Sequence, residues 1–401
     1  MNIERLRTPA LILDKEAFER NIETMRSLLE GSTLSLRPHY KSHKCAEIAR
    51  MQIASGAIGI TCAKLSEAED LVDAGIEDVL IANQVVEDSK ISRLCQLAKD
   101  ARITVCVDCA ENIAALSRAA VAADATLYCL VEYDIGLQRC GVLTHSEVIE
   151  LARAVDAADR LVFDGLQAYA GQLSHEVDSE KRRSETEARA KDLRALLSEL
   201  EAAGLHARVL SGGSTGTSAI KAKEGLYTEL QAGSYLFMDS TYAELDIPFE
   251  NSLYILTTVL SVKDGLVVVD AGVKSCGVDQ GMPRIYCDEA REISACEEHF
   301  QIFEPKKQYK VGDKMLLIPA HCCSTVNLHD KIYGKQGQGG IANCGQRPRM
   351  LKIKEILKGA IVRKDQYGCN GSIDSSVRTC PIPLRNGRNG QLLKEERRTK
   401  A

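Results

Sequence analysis

The stretch Ser32-Thr33-Leu34-Ser35-Leu36-Arg37-Pro38-His39-Tyr40-Lys41-Ser42-His43-Lys44 decides how the chain is read. Residues 32–36 read as a short buried strand and residues 45–54 as a helix, so Lys41 falls where the strand ends. The carboxyl ends of strands are where an α/β barrel displays its reactive groups. A lysine there, with His39 and His43 two residues to either side, suits an amine that must be partly neutral to attack a carbonyl. A basic loop that contacts solvent or a phosphate is the other reading of the same residues.

Outward from this stretch the pattern repeats. Short apolar or β-branched runs occur at 57–63, 78–82, 103–108, 126–132, 161–169, 207–211 and 226–231, each separated from the next by a mostly amphipathic helical segment. With the strand before Lys41 they make eight. Such alternation predicts right-handed βαβ crossovers and parallel strands, and eight units over about 200 residues predict a closed (β/α)8 barrel. A doubly wound open sheet is the alternative. Ahead of the barrel, residues 8–14 read as a strand, with Asp14 capping a helix whose apolar face is Phe18, Ile22, Met25 and Leu29.

After Asp239 the rhythm changes. Residues 254–262, 266–270 and 315–319 are β-rich, and only 288–299 carries a helical periodicity. The expected organisation is a barrel over 15–245 and a mainly β domain over 1–14 and 246–334, which holds a metal site. From 335 to 401 comes an atypical, glycine-rich tail with 15 Lys and Arg against 5 Asp and Glu, expected to be partly disordered.

Composition sets outer bounds. The 401 residues are 45% hydrophobic and 27% charged, as in a soluble globular protein, and the net charge of -5 gives no sign of a nucleic-acid partner. No apolar run reaches signal-peptide length or the roughly 20 residues of a membrane span, so the expected location is cytoplasmic. Most of the 15 cysteines, such as Cys62, Cys106 and Cys129, fall inside expected strands and helices. In a reducing compartment they are small buried residues rather than a disulfide framework.

Candidate chemistry clusters at expected strand ends. Besides Lys41 there is Arg139 after the fifth strand, and Tyr169 with His175 leaving the sixth. Gly213-Ser214-Thr215-Gly216-Thr217 follows the seventh, where glycines let backbone N–H groups approach an anion and the hydroxyls add donors. The loops after strands seven and eight are the usual phosphate site of such barrels. A lysine and a phosphate cradle across one barrel mouth suggest a phosphorylated aldehyde, and pyridoxal phosphate is the obvious candidate. In the second domain His321 and Cys323 alternate along a segment expected to be extended, so both side chains point one way and can bind one metal ion. Two buried residues near a turn are the alternative.

With these residues assembled, the chain from Thr8 to Asp330 resembles the D-threonine aldolase and eukaryotic-type D-serine dehydratase group, pyridoxal phosphate enzymes of the alanine-racemase fold type. The resemblance implies a (β/α)8 barrel with a C-terminal β domain, paired as a homodimer. It implies Lys41 as the Schiff-base lysine, Arg139 near the cofactor's phenolic oxygen, Tyr169 beside the pyridine ring and Gly213 through Thr217 as the phosphate loop. It also places His321 and Cys323 on the ligands of a divalent metal. His175 matches the histidine that, in the aldolase branch, takes the proton of the substrate's β-hydroxyl.

The dehydratase branch has a different loop at Ala170-Gly171-Gln172-Leu173-Ser174-His175, which places the chain nearer the aldolases. Against that, His321-Cys322-Cys323 stands where the aldolases commonly have His-x-Asp, and His-x-Cys is the zinc-binding pattern of the dehydratases. A thiolate favours zinc over manganese or magnesium. The implied activity is metal-assisted cleavage of D-β-hydroxy-amino acids such as D-threonine to glycine and an aldehyde. Dehydration of D-serine or D-3-hydroxyaspartate with the same lysine and metal is the alternative, and a non-catalytic carrier of the cofactor is a third reading. The resemblance fades after Tyr333-Gly334.

Overall fold

The computed structural model of the protein describes residues 5–335 and 361–362. The chain opens with β1 (Ala10–Asp14) and α1 (Lys15–Leu29), then alternates through β2 (Ser35–Leu36), α2 (Ala46–Ala54), β3 (Ile60–Cys62), α3 (Leu65–Asp73), β4 (Asp78–Ile81) and α4 (Asp88–Leu97). It continues with β5 (Arg102–Val107), α5 (Ala110–Ala123), β6 (Leu127–Glu132), α6 (His145–Asp156), β7 (Leu161–Ala168), α7 (Ser179–Ala202), β8 (Val209–Gly212), α8 (Ser218–Glu224) and β9 (Glu229–Leu230). Local chemistry sets the helix starts. Asp14 accepts from Ala17 N at 3.1 Å to cap α1, and Thr144 with Glu147 forms a capping box on α6.

Strands β2 to β9 form one parallel sheet in the order β2-β9-β8-β7-β6-β5-β4-β3. Continuous burial of runs such as Ile103 to Val107 is what a sheet covered on both faces requires. The two ends of that order meet. Ile58 N donates to Leu36 O and Thr61 N to Pro38 O, both at 2.9 Å, and His39 bridges Thr61 in parallel, so the sheet closes as a barrel rather than an open layer.

Charged residues plug the barrel's amino-terminal end. Arg37 is buried and donates to Asp78 Oδ1 at 2.7 Å and to Glu229 Oε1 at 2.8 Å. Gly59 makes room for it, since a Cβ there would lie 2.1 Å from an Arg37 nitrogen. Removing the cation would leave Glu229 buried without its partner. Arg37→Met is therefore expected to cost about 3–5 kcal/mol in denaturant unfolding; a loss below ~1 kcal/mol, the worth of an exposed pair, would contradict the role.

The second sheet is built from β10 (Leu253–Lys263), β11 (Leu266–Val269), β12 (Arg284–Ile285), β13 (Glu292–Ala295), β14 (Phe300–Phe303), β15 (Lys314–Ile318), β16 (Lys331–Lys335) and the edge strand β17 (Ile361–Val362). Strand β1 is part of it, antiparallel to β10 and parallel to β16, so the chain's first strand belongs to this sheet and not to the barrel. Residues 288–299 contain β13 and no helix: Glu292–Ala295 pairs with β14, and that ladder overrides the helical periodicity. A short helix, α9 (Cys322–Val326), lies between β15 and β16. One buried cluster runs through the barrel and the sheet, taking in Phe18 and Phe237 as well as Leu253 and Ile255. Among the described residues no helix is long and apolar enough to cross a membrane. The tail expected to be basic and partly disordered lies outside the described residues, apart from 335 and 361–362.

Candidate active site

Lys41 sits in a single 3-10 turn, Tyr40–Ser42, directly after the barrel closure at His39. His39 Nδ1 accepts from Lys41 N at 3.3 Å and fixes that turn. Gly233 presses on it from the neighbouring strand end, where a Cβ would meet Ser42 Oγ at 2.3 Å and His39 O at 3.0 Å. The two histidines beside the lysine have different fates. His43 faces α2, accepting from Cys45 N at 3.2 Å and bonding Gln52 at 3.1 Å, whereas His39 lines the cavity. Burial, then the positive neighbours Lys41 and Arg139, push the His39 imidazole well below its ordinary pKa, so it is neutral.

A cavity of about 300 Å³ opens at this end of the barrel. Lys41, Tyr169, His175, Ser214, Thr215, His321 and Cys323 all line it, together with His39, Gln231 and Tyr242. Lys41 Nζ lies 5.9 Å from the Tyr169 ring centroid. Gly213, Gly216, Thr217 and Arg139 are not among the residues that line it. Thr217 Oγ1 accepts from Ser214 N at 3.0 Å, closing the hydroxyl turn. Gly213 has φ +73, and a Cβ on Gly216 would lie 2.1 Å from Ser174 O, so glycine lets this turn touch the loop that carries His175. Arg139 is half exposed, 3.7 Å from Glu132 and 5.9 Å from the Tyr169 ring centroid.

His175 follows the turn Gly171–Leu173, and its ring stands edge-on to Tyr242 with centroids 4.3 Å apart. Burial lowers its pKa first. His321 and Lys41 push the same way, while Cys323 opposes them. The result is a neutral imidazole at neutral pH, able to accept a proton.

The segment at His321 departs from the extended geometry expected of it. Only His321 has an extended backbone, φ -140 and ψ 113, and Cys323 lies inside α9. Asp239 explains the helix: its Oδ2 accepts from Cys322 N at 2.9 Å, while Thr325 Oγ1 donates to His321 O at 2.8 Å. The two side chains still meet, through an extended cap and a first helical turn instead of strand alternation. Burial pulls the His321 imidazole down, but its bonds to Cys323 and Asp279 outweigh that and carry it up to about 9. The hydrogen bond from Cys322, together with His321 and Lys41, holds the Cys323 thiol well below its usual value against burial. Cys323 Sγ is 3.4 Å from Ser42 Oγ, next to Lys41 in sequence, so pair and amine share one wall.

Known proteins resemble this chain over both sheets. The alanine racemase N-terminal domain family matches residues 13–241, and a serine dehydratase domain family matches 252–334. The chain belongs to the alanine-racemase-fold family of D-threonine aldolases and D-serine dehydratases. It is 41% identical over 347 residues to a 3-hydroxy-D-aspartate aldolase of Paracoccus denitrificans, covering 83% of this chain and 90% of that one. It is 41% identical over 338 residues to a D-threonine aldolase of Arthrobacter, covering 82% and 89%. The crystal structure of a D-threonine aldolase from Filomicrobium marinum superposes with a TM-score of 0.81 at 38% identity, over 87% of this chain and 95% of that one.

The family's pyridoxal phosphate fits the wall described: an amine at a strand end, a hydroxyl-lined glycine turn in the same cavity, and an aromatic ring beside the amine. A metal ion fits through chemistry, since a thiolate and an imidazole nitrogen are a zinc-type donor pair. Among the described residues no group of three or more His, Cys, Asp or Glu side chains converges as a metal site. The sequence alone does not single out Tyr242, Asp239 or Asp279. Asp239 accepts from Cys322 N at the start of α9 and from Tyr242 N at 3.0 Å, tying the edge-on partner of His175 to the turn of His321. The one local signal is Asp239-Ser240-Thr241 at the point where the barrel rhythm stops.

Proposed function

We propose that the protein cleaves D-β-hydroxy-amino acids such as D-threonine to glycine and an aldehyde, with pyridoxal phosphate and a divalent zinc, manganese or magnesium ion. The observation that carries this reading is that Lys41, His175, His321 and Cys323 face a single cavity. Bound there, pyridoxal phosphate supplies an electron sink for the pair released when Cα–Cβ breaks, and the metal supplies charge that favours the ionised β-hydroxyl.

The chain's residues do the rest. Ser214, Thr215 and the glycine-turn amides hold the phosphate, with Gly213, Gly216 and Thr217 keeping the turn's shape. Lys41 would hold the cofactor's aldehyde carbon through its amine, the chemistry that lets a substrate amine take its place. Tyr169, in the cavity lining, would flank the cofactor ring, and Arg139, 5.9 Å from the Tyr169 ring centroid, would serve its phenolic oxygen. His321 and Cys323 would hold the metal, whose charge favours the ionised hydroxyl. His175 accepts the hydroxyl proton on a ring nitrogen as the carbon–carbon bond breaks.

The domain limits that go with this reading are 15–245 for the barrel and 1–14 with 246–334 for the sheet and metal turn. A cytoplasmic homodimer acting on a small D-amino acid, with no nucleic-acid or membrane partner, completes it. A cofactor carrier needs no metal pair, so the convergence of His321 and Cys323 on the Lys41 cavity speaks against that alternative. The thiolate donor is the one feature that keeps dehydration as a second reading. Incubation with D-threonine, with and without added zinc or manganese, separates them: glycine and acetaldehyde are expected, and 2-oxobutanoate with ammonia would overturn the proposal in favour of the dehydratase.

A further inference from the structure

Asp279 lies in the loop between β11 and β12, outside the cavity wall, and its position relative to the metal pair is specific. Its Oδ2 is 2.6 Å from His321 Nδ1, and its Oδ1 accepts from Ser324 Oγ at 2.5 Å. One carboxylate thus holds two residues that bracket Cys323. The close approach is built into the loop. A Cβ at Gly277 would fall 2.0 Å from Ser324 Oγ, and Gly277 N donates to Thr325 Oγ1 at 3.1 Å, so only glycine lets the loop seat against α9.

The chemistry of the contact follows from what a carboxylate can do. It only accepts hydrogen bonds, so Nδ1 must carry a proton, and Nε2 becomes the ring nitrogen available to a metal. Without that partner a neutral imidazole divides between two tautomers, and its ring turns about its bond to Cβ. His321 is exposed to both losses, because its backbone is an extended cap residue and only its neighbours are helical.

We infer that Asp279 is a positioning residue for the metal pair, fixing the ring orientation and proton location of His321 from the β11–β12 loop. The inference rests on the proposed metal role of His321 and Cys323. Partners of this kind typically contribute 10–100-fold to metal affinity. The half-exposed setting of Asp279, with a side chain 49% accessible, makes it replaceable without opening the core.

The test strips divalent ions from the cofactor-loaded protein and titrates it with Co(II), following the thiolate-to-cobalt absorbance and then displacement by Zn(II). The parent is expected to bind one ion with that absorbance. Asp279→Ala should keep the absorbance with affinity lowered ~10–100-fold, and an unchanged unfolding midpoint for the metal-free protein. Asp279→Asn, which keeps an acceptor for Nδ1–H, should recover part of the affinity. An Asp279→Ala affinity within twofold of the parent overturns the inference while leaving the metal reading intact. A parent without thiolate-bound cobalt overturns both. Equal loss in both variants with a lowered unfolding midpoint would make Asp279 a stability residue and also overturn it.

Discussion

Replacing Lys41 with alanine is expected to remove the visible absorbance of tethered pyridoxal phosphate and to cut turnover at least ~10³-fold, the scale on which loss of a covalent-catalysis residue acts. The turn around position 41 does not depend on the side chain. His39 Nδ1 grips the backbone N–H of residue 41, and Tyr40 and Ser42 are buried on either side. The variant should therefore fold and still show the phosphate-binding turn, with pyridoxal phosphate held loosely and without its covalent bond. Reductive trapping with borohydride followed by peptide mapping reads this directly. Label on the peptide containing Lys41 in the parent and none in the variant is the expected result. Label on another lysine, such as the buried Lys221 of α8, would reassign the tether.

His175→Ala is the second large effect, and it separates cofactor loading from bond cleavage. The histidine lines the cavity from a different turn than Lys41, so cofactor absorbance should persist while cleavage of D-threonine falls ~10²–10⁴-fold, the usual contribution of a positioned general base. The pH profile adds a sign. A base must be unprotonated to work, and burial with His321 and Lys41 holds the His175 pKa below its ordinary 6.5. The parent should thus keep its base form through neutral pH and lose rate only as pH falls through that lowered value. His175→Ala should lack this limb. Retention of full cleavage by the variant would show that another group takes the hydroxyl proton.

How much of this was readable beforehand depends on whether the signal is local. The barrel strands are legible because parallel strands covered on both faces need unbroken apolar runs, as at Ile103 to Val107, and the helices between them show an amphipathic period. Lys41 and the glycine turn are legible because each follows its strand directly. Strand β1 is harder to place. Its sequence fits either sheet, and only the ladders to β10 and β16 assign it. The pairing of His321 with Cys323 is readable from spacing, but its geometry is not, because the helix there depends on Asp239, 83 residues away. Residues 288–299 mislead for the same reason: their periodicity is local, whereas the ladder between β13 and β14 is not. Asp279 and Tyr242 carry no pattern of their own. Their contacts are made across the fold, Asp279 to His321 and Ser324, and Tyr242 to His175.

Crystals of the protein grown with pyridoxal phosphate and zinc, measured on both sides of the zinc absorption edge, test the account at its centre. The expected map has one anomalous peak at about 2.1 Å from a His321 nitrogen and about 2.3 Å from Cys323 Sγ, in the cavity that also holds continuous density from Lys41 to the cofactor. A zinc peak away from both residues, or cofactor density joined to a different lysine, would contradict it.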